Sequence, residues 1–273
     1  MIKGKILYVN QEVMPYVPET QMSYFGRYLP QIMQDQFQKE VRVFMPNFGT
    51  INERKNQLHE VIRLSGLNIV VDSTDHPLLI KVASIPAARM QVYFIDNEDY
   101  FKRKYSLRDG SGKLFEDNSS RCVFFSHGVL ETIKKLAWKP SIINCAGWFS
   151  ALVPFYTKRT IYKHNPYYSD SKIILSLFND DFEGKLDETL VRKLKKDGGS
   201  QKDWEVYSEP TYLNLMKAAI YYSDGIIVAS EDVNSELIDY AKQLKKPMVD
   251  YAPMPDIAEP INNLYESIMI LDD

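Results

Sequence analysis

Short apolar runs alternate along the chain with longer stretches in which apolar residues return every three or four positions. Lys5–Val9, Val41–Met45, Val92–Ile95, Ser141–Cys145, Lys172–Leu177 and Gly225–Ala229 are rich in β-branched residues and read as strands. Helical spacing falls over Ser23–Phe37, Ser119–Leu136, Phe149–Lys158, Leu186–Leu194, Thr211–Tyr222 and Val233–Gln243. In the first of these, Phe25, Leu29, Ile32, Met33 and Phe37 form a core stripe. Strands alternating with helices predict an α/β fold, a doubly wound Rossmann-like and mostly parallel sheet. Val61–Leu64, Leu67–Val71 and Leu78–Ala83 read as a small antiparallel insert with a turn at Ser65-Gly66. Lys195–Asp203 is polar and glycine-containing and reads as an exposed flexible loop.

Composition narrows the class without naming a chemistry. The 273 residues are 45% hydrophobic and 25% charged, with a formal net charge of −3. These values exclude a disordered chain, a fibre and a basic nucleic-acid-binding footprint. Cys122 and Cys145 are too few for a disulfide framework and read as inert core thiols. The first apolar run stops at Asn10-Gln11-Glu12, too short for a signal peptide, and no run approaches a membrane span. The expectation is a cytoplasmic protein with neither membrane nor nucleic-acid partner.

Parallel sheets bind ligands beyond the carboxyl ends of their strands. That rule nominates Asn10–Glu12, Pro46–Phe48, Ala146–Trp148, Phe178–Asp181 and Ser230–Glu231. No glycine follows the first strand, which argues against a dinucleotide fingerprint. Asp109–Lys113 (DGSGK) lacks the first glycine and the Ser or Thr of a phosphate loop, and reads as a surface turn. His59, His76, His127 and His164 are too scattered to hold a metal, and His127 reads as a packing residue. No cofactor is expected. Asp180-Asp181 suit either sugar hydroxyls or a cation, or the cap of a following helix. Spacing alone gives no nucleophile–base arrangement, so no catalytic residue is nominated.

Several phrases then resemble a known family. KILYVNQEVMPYV, with Glu12 and Pro15, is similar to the first strand and turn of bacterial glycogen synthases and plant starch synthases. EVRVFMPNF, VYFIDNEDYFKRKY, EDNSSRCVFFSHGVLETI, WKPSIINCAGWFSALVPFY, KIILSLFNDDFEG and YLNLMKAAIYYSDGIIVAS resemble later segments in order. The resemblance spans about residues 5 to 235. It implies the N-terminal half of a GT-B glycosyltransferase, a family of retaining glucosyltransferases that use ADP-glucose.

The resemblance also marks departures. Where the family reads K-T-G-G-L-x-D-V, this chain has Pro18, Glu19, Thr20, Gln21, Met22, Ser23, Tyr24 and Phe25. Proline offers no N–H, and Glu19 brings negative charge to where phosphates would sit. The H-A-H-D-W segment is Asn144-Cys145-Ala146-Gly147-Trp148, and the histidine of F-T-I-H-N is Phe178, with Asn179 kept. The length suits one such half, so the expectation is a single domain over residues 1–273 without a C-terminal GT-B domain.

These departures predict a non-catalytic homologue that binds a ligand or a partner through the cleft. The ligand-binding candidates are Glu12, Tyr16, Thr20, Gln21, Asn144, Trp148, Asn179 and Asp180, with Tyr16, Trp148, Phe149 and Phe178 as an aromatic lining. The open ligand classes are a sugar, a nucleotide sugar and a glucan. A protein partner or a second copy covering the cleft is a further expectation. The alternative is a glucosyltransferase completed by a second chain.

Overall fold

Lys5–Asn10 (β1) runs through the middle of the molecule with every residue after Lys5 buried. The computed structural model describes residues 4–270. After β1 come α1 (Gln21–Asp35) and β2 (Glu40–Pro46), then β3 (His59–Glu60), β4 (Leu67–Val71), β5 (Thr74–Ile85) and β6 (Met90–Asp96). Next are α2 (Glu98–Phe101), α3 (Asn118–Lys135), β7 (Ile142–Ala146), α4 (Val153–Arg159) and β8 (Lys172–Leu177). The chain continues through α5 (Leu190–Asp197), α6 (Gln201–Glu205), α7 (Tyr212–Tyr222), β9 (Gly225–Val228), α8 (Ser235–Gln243), β10 (Met248–Val249) and α9 (Ala258–Ile270).

The sheet order is β10-β9-β8-β7-β1-β2-β6-β5-β3, with β4 paired to β5. Strands from β10 to β6 are parallel, and β5, β3 and β4 add antiparallel pairs at one edge. This is the doubly wound α/β fold with its small insert. From β1 the chain winds outward to β2 and β6, and from β7 it winds the other way to β8, β9 and β10. The carboxyl ends of β1 and β7 therefore flank the switch point, where a crevice must open.

Local chemistry sets the elements around that crevice. Thr20 caps α1 by accepting the Ser23 N–H at 3.0 Å, while the Ser23 hydroxyl accepts the Thr20 N–H at 2.8 Å. Gly26 lets the helix lie against the segment after β1, because a Cβ there would meet the Glu12 carbonyl at 2.5 Å. α3 is buried on most sides, and within it Arg121 is fully buried. Arg121 donates to the carbonyls of Tyr100 and Ser106 and to Asn118, so its charge is spent on joining loops. Cys122 and Cys145 are free and buried, and burial pushes both thiols far up.

The insert differs from its sequence reading. Residues 61–64 form a turn, not a strand, and Ile62 is 83% exposed, with His59–Glu60 pairing to β5 instead. The Ser65-Gly66 turn, expected between Val61–Leu64 and Leu67–Val71, has no first strand to join, and the hairpin that forms is β4–β5, turning at Asp72 (φ 50°) and Ser73 (φ 78°). Both residues carry the positive φ of a type I′ turn. Lys195–Asp203 is no flexible loop either: α5 runs to Asp197, and α6 starts from a Ser200–Asp203 capping box. Gly198 (φ 130°) and Gly199 (φ 91°) make the sharp link between them. Among the described residues no helix is long and apolar enough to cross a membrane.

Candidate functional site

A cavity of about 410 Å³ lies beyond the carboxyl ends of β1, β7, β8 and β9. Gln11, Glu12 and the first residues of α1 form one wall, and Trp148 and Phe178–Asp181 form another. Leu107, Arg108 and Leu114 close a third side, with Asp232 at the rim.

Six of the eight ligand candidates meet here: Glu12, Thr20, Gln21, Trp148, Asn179 and Asp180. The other two do not. Tyr16 is 6% exposed, packs edge-on against Phe94 at 4.8 Å and does not line the cavity. Asn144 points into the sheet's packing, donating to Ser176 and accepting from the Tyr265 hydroxyl at 2.9 Å. Its place in the middle of β7 puts it below the strand end that borders the crevice. The aromatic lining is also thinner than expected. Phe149 is fully buried among Phe48, Phe101 and Phe125, leaving Trp148 and Phe178 at the wall, both nearly buried.

Strand-end reasoning missed Arg108, Leu107, Leu114 and Asp232. The first three come from the loop before α3, far from any strand end in sequence, and only the fold brings them over. Arg108 crosses the site, donating to the carbonyls of Gly112 at 3.2 Å and Asp181 at 3.5 Å. Asp232 sits one residue past the nominated Ser230–Glu231. Pro46–Phe48 was nominated but faces elsewhere, with Asn47 donating to Glu53.

Asp180 is the organising side chain. It does not cap a following helix, since residues 182–189 form no helix. Instead one oxygen accepts the Trp148 N–H at 2.9 Å and the other accepts the Tyr212 hydroxyl at 2.8 Å. Trp148 opens a short 3-10 turn, so Asp180 ties the β7 and β8 ends together across the crevice. Burial pushes its pKa up to about 6; the two hydrogen bonds oppose that shift and the nearby Glu12 charge adds to it.

Glu12 faces the start of α1. Its carboxylate accepts the Thr20 hydroxyl at 2.6 Å, so negative charge already stands at that helix terminus. Gly147, at φ 86°, has no room for a side chain: a Cβ would lie 2.8 Å from the Gln11 Cβ and 2.9 Å from the Met22 sulfur. Glu12, Asp180, Asp181 and Asp232 thus line the cavity against the single guanidinium of Arg108. Among the described residues no group of His, Cys, Asp and Glu could hold a metal ion. The arrangement can accept hydrogen bonds from hydroxyls and holds few donors for an anion.

The family described as starch synthase catalytic domain matches residues 5–247. The chain belongs to that family. It is 34% identical over 235 residues to a glycogen synthase of Chlorobium limicola, covering 86% of this chain and 47% of the relative. It is 38% identical over 191 residues to the glycogen synthase of Chlorobium phaeobacteroides, covering 70% and 39%. The chain spans about half the length of the curated relatives it matches. Among solved structures, the catalytic domain of starch synthase IV from Arabidopsis thaliana, bound to ADP and acarbose, superposes with a TM-score of 0.68. That match covers 90% of this chain and 50% of the other at 16% identity, which establishes the shared fold.

Proposed function

We propose that this member of the starch synthase family is a non-catalytic unit that binds an uncharged saccharide in the cavity around Asp180. The observation that carries the reading is the charge of the site, four carboxylates against one guanidinium. A nucleotide sugar brings phosphates, which like charge repels inside a cleft of lowered dielectric. A glucan brings only hydroxyls, which carboxylates and the Asn179 amide can bond. The helix terminus supports the same choice. A bare N-terminus would attract phosphate, but that of α1 is closed by its own capping box and flanked by Glu12. The relatives are named glycogen synthases, and the solved neighbour held both ADP and acarbose. In this reading the chain takes the saccharide and not the nucleotide.

The test has two arms. Incubation with ADP-glucose and glycogen is expected to incorporate no glucose. Saturation-transfer NMR with maltotriose is expected to give contacts that weaken in Glu12→Gln and Asp181→Asn. Glucose incorporation overturns the non-catalytic part. Maltotriose contacts that are absent, or unchanged in both variants, overturn the assignment of the site.

A further inference from the structure

At the other end of the sheet from the candidate site, the amino ends of β2 and β6 border a cavity of about 430 Å³. The register sets Ser84 of β5 beside Gln91 of β6, and Arg42 of β2 continues that row, one residue before the Val43–Val92 pair. Neighbours across strands share a face, so the row puts three polar side chains on one surface. All three line the cavity, and so does Arg89.

Arg42 is half-buried, and its Nη1 donates to the Tyr93 hydroxyl at 2.7 Å. The guanidinium lies over the rings of Trp138 at 5.1 Å and Tyr93 at 5.8 Å, which fixes its direction. Its buried Nε has no acceptor, and among the described residues no carboxylate pairs with it. Glu40 also lines the cavity, but its carboxylate accepts the Trp138 indole N–H at 2.6 Å and stands 4.0 Å from Lys5 Nζ. With Nη1 engaged, the edge left to Arg42 is Nε–Nη2, and such an edge holds an oxyanion by two parallel bonds.

Arg89 brings a second guanidinium from a backbone position that disfavours it. It closes the 3-10 turn Pro86–Ala88 at φ 48° and ψ 34°, the left-handed region that glycine or asparagine adopts more easily. The turn is held on both sides. Gln34 of α1 donates to the Ala88 carbonyl at 3.1 Å, and the Arg89 N–H donates to the Pro86 carbonyl at 3.1 Å. Arg89 is exposed and has no ion-pair partner among the described residues. Two guanidiniums thus share one hollow with no carboxylate bound to either, and the nearest acid is already engaged. Ile85, Pro86 and Met90 add an apolar wall beside them.

We infer that this cavity binds a small phosphomonoester, its phosphate gripped by Arg42 and Arg89 and its organic body laid on the apolar wall. A phosphate dianion matches two guanidiniums, where a carboxylate matches one. The volume falls in the range of about 300–1,000 Å³ usual for small-molecule sites. The inference rests on no part of the saccharide reading, because the two cavities lie at opposite ends of the strands.

Calorimetric titration of the full chain at low ionic strength tests it, with phenyl phosphate as the probe and benzoate as the monoanion for comparison. Wild type is expected to bind phenyl phosphate saturably and about tenfold more tightly than benzoate. Arg89→Gln, at an exposed position, is expected to weaken phenyl phosphate about tenfold. Arg42→Lys keeps a cation over the two rings without the fork, and is expected to weaken it several-fold. Arg54→Gln, an exposed position beyond the carboxyl end of β2, is expected to leave it unchanged. No saturable binding of phenyl phosphate overturns the site. So does an affinity that survives in both Arg42→Lys and Arg89→Gln, or one that falls equally in Arg54→Gln. Benzoate bound as tightly as phenyl phosphate overturns the assignment to a phosphate.

Discussion

Two aspartates on the same half of the sheet, Asp203 buried and Asp180 half-buried at a cavity wall, have opposite electrostatics. Asp203, 3% exposed, accepts Arg159 Nε at 2.7 Å, the Tyr222 hydroxyl at 2.7 Å and the Ser200 N–H at 2.8 Å. Burial pushes its pKa up, but these bonds outweigh that and hold it at about 2. Asp180 has a backbone N–H, a tyrosine hydroxyl and the Glu12 carboxylate for company, and it rises to about 6. The first carboxylate is a structural strut with its cation supplied. The second leaves its charge unmatched at the wall of a cavity. Unmatched charge at a cavity wall is the feature on which the saccharide proposal rests.

Breaking the paired member has the largest effect. Arg159→Met strands the Asp203 charge, and we expect a loss of about 2–3 kcal/mol in urea unfolding at pH 7, moderated by the partial exposure of Arg159. Putting an aspartate back at residue 147, where the family resemblance places one, is nearly as severe. Gly147→Asp needs a side chain at φ 86° where Gln11 and Met22 already sit, and we expect about 2 kcal/mol lost by the same measurement.

Asp180→Asn sharpens the comparison through pH. A carboxyl raised in the folded state favours folding at low pH, and that advantage is lost as pH rises from the unfolded value of about 4 to the folded value of about 6. The variant lacks this titration. Its Tm relative to wild type should therefore improve between pH 4 and pH 7, and a flat difference contradicts the raised pKa. The smallest effect is expected at Asp72, which Arg192 and Lys196 hold at about 2 on the exposed tip of the β4–β5 hairpin. Its contribution is present above the unfolded value and fades as pH falls towards 2. At pH 7 Asp72→Asn should lower Tm by no more than ~2 °C in a thermal melt.

The parallel core was legible in the sequence because strands buried on both faces leave unbroken apolar runs, and Lys172–Leu177 was read with its observed bounds. The insert was harder to read. Its hairpin turn lies at Asp72-Ser73, with no glycine to announce positive φ, and Val61–Leu64, a short apolar run read as a strand, forms a turn. Lys195–Asp203 was misread because two glycines and a run of charges hide a helix end followed by a capping box. Strand-end reasoning found Glu12, Trp148, Asn179 and Asp180 because topology fixes where loops converge. It failed for Arg108, which reaches the cavity from a loop whose course depends on tertiary packing. Tyr16 and Asn144 came from the family resemblance and not from strand ends, and the packing turns their side chains away.

The most direct measurement is calorimetric titration of the wild-type chain with maltotriose and, separately, with ADP-glucose at low ionic strength, where charge effects are least screened. Saturable heat with maltotriose and none with ADP-glucose is the predicted result. Saturable binding of ADP-glucose, competed by ADP, would contradict the claim that the unmatched carboxylates reserve this cleft for an uncharged saccharide.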